Sequence, residues 1–148
     1  MPLVNTVILA DDDIDDIDIF KEAIASINGN IKLEVVKNGK ELMSLLNHML
    51  PDLLFLDLEM PLKNGLECLV EIRGDEKLKD IPTIVFSSTT RQSNIQTAYE
   101  MGGHLFLVKS PVYNELTTAI KAVVSLDWSD PKAIKNQYCI NNRYAAFS

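Results

Sequence analysis

The sequence has 148 residues, with 21 Asp and Glu against 14 Lys and Arg and a formal charge of −7. At roughly 100–200 residues per domain this is one domain, and a chain of that size buries about two-thirds of its unfolded surface without disulfides or structural metal. With 47% hydrophobic and 24% charged residues the composition is that of a globular protein and excludes a disordered one. No apolar run approaches the ~18 residues of a membrane span, and the N-terminus does not read as a signal peptide. An acidic chain without a basic run is a poor candidate for direct nucleic-acid binding. Cys68 and Cys139 have neither CxxC spacing nor a paired framework, which fits a reducing cytoplasm.

The charge is uneven. Asp11, Asp12, Asp13, Asp15, Asp16, Asp18 and Glu22 face Lys21 alone in the first thirty positions, so nearly all the net charge lies there. A solvated acidic face is the ordinary explanation of such a cluster. Its position argues for more. Val7-Ile8-Leu9-Ala10 is an apolar run that stops at Asp11, consistent with a strand buried on both faces. Ile14, Ile17, Phe20, Ile24 and Ile27 then form one helical stripe, with Asn28-Gly29 as its stop. Ile31, Leu33 and Val35 alternate with Lys32 and Glu34, which predicts an edge strand. Asn38-Gly39 is a turn, and Leu42, Leu45, Leu46 and Met49 predict a second helix closed by Pro51.

Leu53-Leu54-Phe55-Leu56 is the strongest strand signal and again ends in an acid, Asp57. Pro61 and Asn64-Gly65 mark a loop, and Leu66, Leu69, Val70 and Ile72 predict a third helix. After a polar linker, Thr83-Ile84-Val85-Phe86 ends in Ser87-Ser88. A weaker helix with Ile95, Ala98 and Met101 stops at Gly102-Gly103. Leu105-Phe106-Leu107-Val108 ends at Lys109, and Leu116, Ile120, Val123 and Val124 predict a last helix. Residues 127–148 show no clear period but hold Trp128, Tyr138, Tyr144 and Phe147.

Five strand–helix pairs in strict alternation imply an α/β fold, a parallel sheet with helices on both faces. All strand C-termini then lie along one edge, where ligands bind in such folds. The predicted rim carries Asp11, Asp12, Asp57, Ser87 and Lys109. Carboxylates gathered there repel one another unless a cation sits among them. Hard oxygen ligands without His or thiolate suit Mg²⁺. A metal, an ammonium and a hydroxyl together can hold phosphoryl oxygens, and positioning with charge neutralisation is most of what phosphoryl transfer needs. An ionised Asp57 can attack phosphorus without a general base. His48, late in the second helix, and His104, just before the fifth strand, are both expected at the surface and away from the rim.

The constellation resembles the receiver domain of two-component response regulators. The motifs that carry it are Ile8-Leu9-Ala10-Asp11-Asp12, Leu56-Asp57-Leu58-Glu59-Met60-Pro61 with Asn64-Gly65, Ile81-Pro82 before Phe86-Ser87-Ser88, and Lys109. The resemblance implies a single-domain, CheY-like receiver over residues 1–126. Its fold would be a doubly wound, flavodoxin-like (βα)5 three-layer sandwich with sheet order 2-1-3-4-5. Residues 127–148 would be an aromatic extension and not a separate domain. Asp57 would be the phosphoacceptor. Asp12 and Asp57 would ligate Mg²⁺ directly, Asp11 would orient it through water, and the Glu59 main-chain carbonyl would be a further ligand. Ser87 would hydrogen-bond a phosphoryl oxygen, Lys109 would pair with Asp57 and then with the phosphoryl group, and Phe106 would be the switch aromatic as well as a buried sheet residue.

Several departures from the family pattern stand out. Asp11-Asp12-Asp13 leaves the register of the acidic pair open, although spacing favours the first two with Asp13 as a helix N-cap. Ser87 replaces the commoner Thr. Ser110 follows Lys109 where the family has Pro in a cis peptide, so this loop is trans or strained; a cis bond before a non-proline residue costs about 2.5–4 kcal/mol. Glu59 places an acid two positions beyond the nucleophile, with an open effect on acyl-phosphate lifetime. The tail aromatics either cover the body or extend a dimer or partner interface, and the tail is analogous to those of the stand-alone regulators that serve phytochrome-type sensor kinases. The resemblance implies a cytoplasmic, non-enzymatic phosphoprotein that catalyses only its own phosphorylation and dephosphorylation. Its partners would be a sensor histidine kinase or histidine phosphotransfer protein and a downstream protein, with no membrane or nucleic acid, and a homodimer among the readings. A pseudo-receiver acting without phosphorylation and a haloacid-dehalogenase-like phosphohydrolase are the alternatives.

Overall fold

Strand and helix alternate along the chain in the computed structural model, which describes residues 4–27 and 29–148. The elements are β1 (Thr6–Ala10), α1 (Ile14–Ile27), β2 (Lys32–Val36), α2 (Gly39–Leu46), β3 (Leu53–Leu56), α3 (Gly65–Gly74), β4 (Thr83–Ser87), α4 (Gln92–Glu100), β5 (Leu105–Val108) and α5 (Tyr113–Val124). They are followed by α6 (Pro131–Gln137), β6 (Cys139–Ile140) and β7 (Arg143–Tyr144). The first five strands form one parallel sheet in the order β2-β1-β3-β4-β5.

The two faces of that sheet follow from the period-two geometry of strands. Val7, Leu9, Leu53, Phe55, Ile84, Phe86, Leu105 and Leu107 point to the face covered by α1 and α5. Ile8, Ala10, Leu54, Leu56, Val85 and Phe106 point to the face covered by α2, α3 and α4. Phe20 from α1 meets Phe55 and Phe86 edge-on, with ring centroids 4.8 and 5.8 Å away, the packing that aromatic quadrupoles favour. The central strands are continuously apolar because both of their faces are buried. β2, at the edge, keeps the alternation that its exposed Lys32 requires.

The helical stripe of α1 begins at Ile17 and not at Ile14, which is 65% exposed. Ile14 opens the helix beyond the end of β1, so the sheet offers it nothing to pack against. Of the Asn28-Gly29 stop, Asn28 lies outside the described residues, and Gly29 follows in a turn. α3 starts from a capping box: Asn64 accepts a hydrogen bond from the Glu67 N–H and the Glu67 carboxylate accepts one from the Asn64 N–H. Gly65 is required there because a Cβ would fall 2.2 Å from the Asp57 carbonyl oxygen. The helix start therefore sits tight against the strand end that presents Asp57.

The extension that carried no period builds its own small elements and folds back on the body. Asp130 caps α6 and Pro131 occupies its first turn. Asn141 and Asn142, at φ 53° and 63°, make the two-residue turn between β6 and β7 that a right-twisted hairpin prefers. Trp128 and Ile134 are buried in the α1–α5 core, and the Trp128 indole donates to the Val123 carbonyl at 2.8 Å. Tyr144 stacks on Tyr99 of α4 with centroids 4.6 Å apart. The Phe147 N–H donates to the Phe106 carbonyl at 2.8 Å, so the tail covers the free edge of β5.

Candidate phosphoryl-acceptor site

The C-terminal ends of β1, β3, β4 and β5 deliver the predicted rim. Asp57, Ser87 and Lys109 line a cleft of about 550 Å³ together with Asp12, Asp16 and Glu59. Asp11 lies under its floor, fully buried. One carboxylate oxygen from each of Asp11, Asp12 and Asp57 falls within 4.8 Å of the others. Asp13 does not join them: its carboxylate accepts from the Asp16 N–H at 3.0 Å, the N-cap bond of α1. Of the three consecutive acids, Asp11 and Asp12 are the two that meet Asp57.

The repulsion among these carboxylates is met by one ammonium. Lys109 Nζ is 2.8 Å from Asp11 Oδ2, 3.0 Å from Asp16 Oδ2 and 3.1 Å from Asp57 Oδ2. Its stem passes over the Phe86 ring, with Nζ 5.1 Å from the centroid. Burial works against the Lys109 charge, but the close Asp11 and Asp57 carboxylates outweigh it and hold the ammonium above its ordinary value. Asp11 goes the other way from a paired acid. Burial pushes its carboxyl up to about 6, against the pull of Lys109.

The ordinary solvated face that an acidic run suggests does not hold for Asp16, whose carboxylate meets Lys109. Asp16 lies in the first turn of α1, and the fold brings that turn to the Lys109 ammonium at the end of β5. Its distance in sequence from Asp12 (i, i+4) is the signal that could have found it. The Lys109-Ser110 peptide is trans, as are all peptides among the described residues. Ser110 holds the turn by itself: its hydroxyl donates to Glu115 at 2.7 Å and accepts from the Val112 N–H at 3.1 Å. The Lys109 N–H donates to the Ser87 carbonyl at 2.8 Å, which fixes where the side chain leaves the sheet.

Around Asp57 one oxygen accepts from the Glu59 N–H at 3.1 Å and the other faces Lys109. Glu59 is exposed beside the cleft. Ser87 is 4% exposed, and its hydroxyl accepts only a long bond, 3.3 Å, from the Thr89 N–H. Phe106 is fully buried on the α4 side of the sheet, paired in register with Val85 of β4. No imidazole reaches the rim among the described residues.

His48 is exposed, as expected. His104 is not: it is 8% exposed at the opposite end of the sheet, where its Nδ1 accepts the Thr83 N–H at 3.0 Å and lies 3.1 Å from Arg73. The strand that it precedes carries it inside, and a buried backbone N–H needs an acceptor. Burial, with Arg73 beside it, pushes the imidazole down to about 3. The unfolded chain protonates near 6.5 and the folded one near 3, so stability is complete above about pH 6.5 and is lost as pH falls through that window. His104→Gln, whose amide oxygen can accept the same N–H, should lose about 2–3 kcal/mol less than the wild type between pH 7 and 4.5 in urea denaturation. Asp11 has the opposite slope in both proteins and cancels in the comparison. Parallel pH curves for the two proteins would contradict this assignment.

Whether a hard divalent cation fits can be asked of these groups. The donors are three carboxylates without thiolate or imidazole, the set that Mg²⁺ or Mn²⁺ prefers. Asp11 Oδ2 is buried and has no well-directed hydrogen bond; the Lys109 ammonium is close but approaches off-axis. That leaves one lone pair on the floor and an exposed Asp12 carboxylate above it. The groups fit such an ion.

Residues 7–121 match the family profile of the response regulator receiver domain. The chain belongs to that family. As a receiver it is a module of two-component signalling, and no helix among its described residues is long and apolar enough to cross a membrane. It is 26% identical over 126 residues to the response regulator Rcp1 of Synechocystis, spanning 80% of this chain and 86% of that protein. The structure of the phosphorylated cyanobacterial phytochrome response regulator RcpA superposes with a TM-score of 0.76 at 30% identity, over 81% of the receiver and 91% of that chain. The Mn²⁺-bound form of Rcp1 superposes with a TM-score of 0.76 at 25% identity, over 85% and 96%. The receiver also matches segments of protein-glutamate methylesterases, which are enzymes, covering 29% of the one from Halalkalibacterium halodurans.

Proposed function

We infer that the protein is a stand-alone response regulator that accepts a phosphoryl group on Asp57 in a Mg²⁺-dependent reaction. The observation that carries this reading is the meeting of Asp11, Asp12 and Asp57 oxygens within 4.8 Å beside the Lys109 ammonium. Asp12 and Asp57 would hold the ion directly, Asp11 would orient it, and the Glu59 carbonyl would complete its protein ligands. Bound there, Mg²⁺ supplies neutralisation of carboxylate and phosphoryl charge. Asp57 Oδ forms the new bond to phosphorus while the bond to the donor's leaving group breaks. Lys109 then exchanges part of its carboxylate pairing for a phosphoryl oxygen, and the Ser87 hydroxyl donates to another.

The output follows from what these residues touch. A Ser87 drawn to the phosphoryl group leaves the Thr89 N–H and changes the packing of Phe106, an equilibrium between two packings biased by charge. Phe106 is tied to α4 and to the tail, since its N–H donates to the Tyr99 hydroxyl at 3.0 Å and that hydroxyl donates to Ala145 O at 2.8 Å. Residues 1–126 act as the receiver, and residues 127–148 are an extension of the same body. The similarity to RcpA and Rcp1 supports a sensor histidine kinase of the phytochrome type, or a histidine phosphotransfer protein, as the donor, with this protein acting in the cytoplasm. The output is contact with another protein or a second copy of this one.

Incubation with Mg²⁺ and acetyl phosphate, followed by intact mass, should add one phosphoryl group and release acetate. The adduct should be labile to acid and base and absent in EDTA. A saturating donor that leaves the mass unchanged would favour a pseudo-receiver, and turnover of a generic phosphate ester would favour a hydrolase.

A further inference from the structure

At the end of the sheet away from Asp57, the body and the extension enclose a second cleft of about 670 Å³. Its cations come from both parts: Arg73 ends α3 and Lys79, paired with Glu76, follows it, while Lys132 and Lys135 lie on α6. The Arg73 guanidinium donates to Gly102 O at 2.8 Å, to Thr83 Oγ1 at 2.9 Å and to Lys79 O at 3.3 Å. Lys135 Nζ donates to Tyr99 O at 2.7 Å and sits 5.5 Å from the Tyr144 ring centroid. All of these partners are neutral. Among the described residues no carboxylate lies within ion-pair distance of Arg73 or Lys135.

Cations taken out of water are ordinarily paired, because desolvation without a counter-charge is costly. Here two of them repel each other instead. Burial and the nearby Arg73 lower Lys135, and burial pushes Arg73 down to about 10. Two carboxylates line the cleft without answering them. Asp130 accepts the capping bond from the Ala133 N–H, and Asp80 reaches Arg73 only through longer-range attraction. His104 adds a donor: with Nδ1 accepting from Thr83, the neutral ring carries its proton on Nε2, which makes no hydrogen bond among the described residues. In a chain of net charge −7 this is a positive site, with Arg73, Lys79, Lys132 and Lys135 against Asp80 and Asp130. Its size is that of a small-molecule pocket, about 300–1,000 Å³, and Trp128 and Pro131 give it an apolar wall.

We propose that this cleft binds the phosphate group of a small phosphorylated molecule, with the anion held by Lys132, Lys135 and His104 Nε2 over the fixed charge of Arg73. The rest of the ligand lies beside Trp128. Arg73 and His104 belong to the receiver body, whereas Trp128, Lys132 and Lys135 belong to the extension, so the ligand bridges the two. The site is remote from Asp57 and does not depend on its chemistry.

Trp128 is the only tryptophan of the chain and reports the cleft directly. The full chain is titrated with ribose 5-phosphate and with inorganic phosphate, in EDTA and at constant ionic strength, while Trp128 fluorescence is followed. A saturable change is expected, absent with ribose alone and unaltered in Asp57→Ala. Lys135→Gln and the exposed Lys132→Gln should each weaken it about tenfold, circular dichroism showing both to be folded. Tighter binding of ribose 5-phosphate than of phosphate identifies an ester as the ligand, and equal binding identifies the free anion. The proposal fails if neither probe saturates, or if both lysine variants bind as the wild type does.

Discussion

Asp57→Ala is expected to fold normally and to take up no phosphoryl group from acetyl phosphate and Mg²⁺. Its side chain contributes no apolar packing; it makes one hydrogen bond, from the Glu59 N–H, and one ion pair with Lys109. Removing a carboxylate from a crowded rim relieves repulsion while Asp11 and Asp16 still partner the ammonium. Urea denaturation should therefore find the variant no less stable than the wild type, which makes loss of the adduct a chemical result. Neither Ser87 nor Asp11 is placed to substitute. The Ser87 hydroxyl has no base beside it, and Asp11 is fully buried beneath the floor. An adduct that persists in Asp57→Ala would move the nucleophile to the exposed Asp12 and overturn the assignment.

Lys109→Met is expected to cost about 3–5 kcal/mol in metal-free buffer, the range for removing one partner from a buried charge cluster. Methionine keeps most of the stem over Phe86 but leaves three carboxylates without their cation. The Lys109 side chain is 9% exposed and Asp11 wholly buried, so solvent screens little of the repulsion. The loss should be smaller in acid, where Asp11, already pushed up to about 6, is protonated first. Mg²⁺ should return part of the stability, because a ligand that binds only the folded state adds RT ln(1 + [L]/Kd). Denaturation in EDTA and in Mg²⁺ measures both. A loss below about 1 kcal/mol would mean that the carboxylates are hydrated well enough to dispense with Lys109.

Much of the fold was legible because its signals are local. Apolar runs that end in Asp11, Asp57, Ser87 and Lys109 mark strands buried on both faces, and the helices between them carry the usual period. Strict alternation then leaves little freedom in topology. The site was legible for the same reason: a parallel sheet puts every strand end on one rim. Asp13 could be recognised as a cap from its place before an apolar stripe. Ile14 could not be recognised as exposed, because periodicity says which side of a helix a residue occupies and not where the sheet stops.

The acidity of the first thirty residues separates the two kinds of information. The sequence by itself determined that Asp11 and Asp12 end a buried strand and that Asp13 starts a helix, since both depend on adjacent residues. Only the tertiary structure decided that Asp16 belongs with them. It is drawn in by Lys109, 93 positions away, through a pair 3.0 Å apart. The same holds for His104, carried inside to satisfy the Thr83 N–H, and for the tail, whose aromatics have no period because they fit a surface built by other elements. What depends on neighbours in the chain can be read along it. What depends on a distant partner's charge, hydrogen bond or shape appears only when the fold brings that partner near.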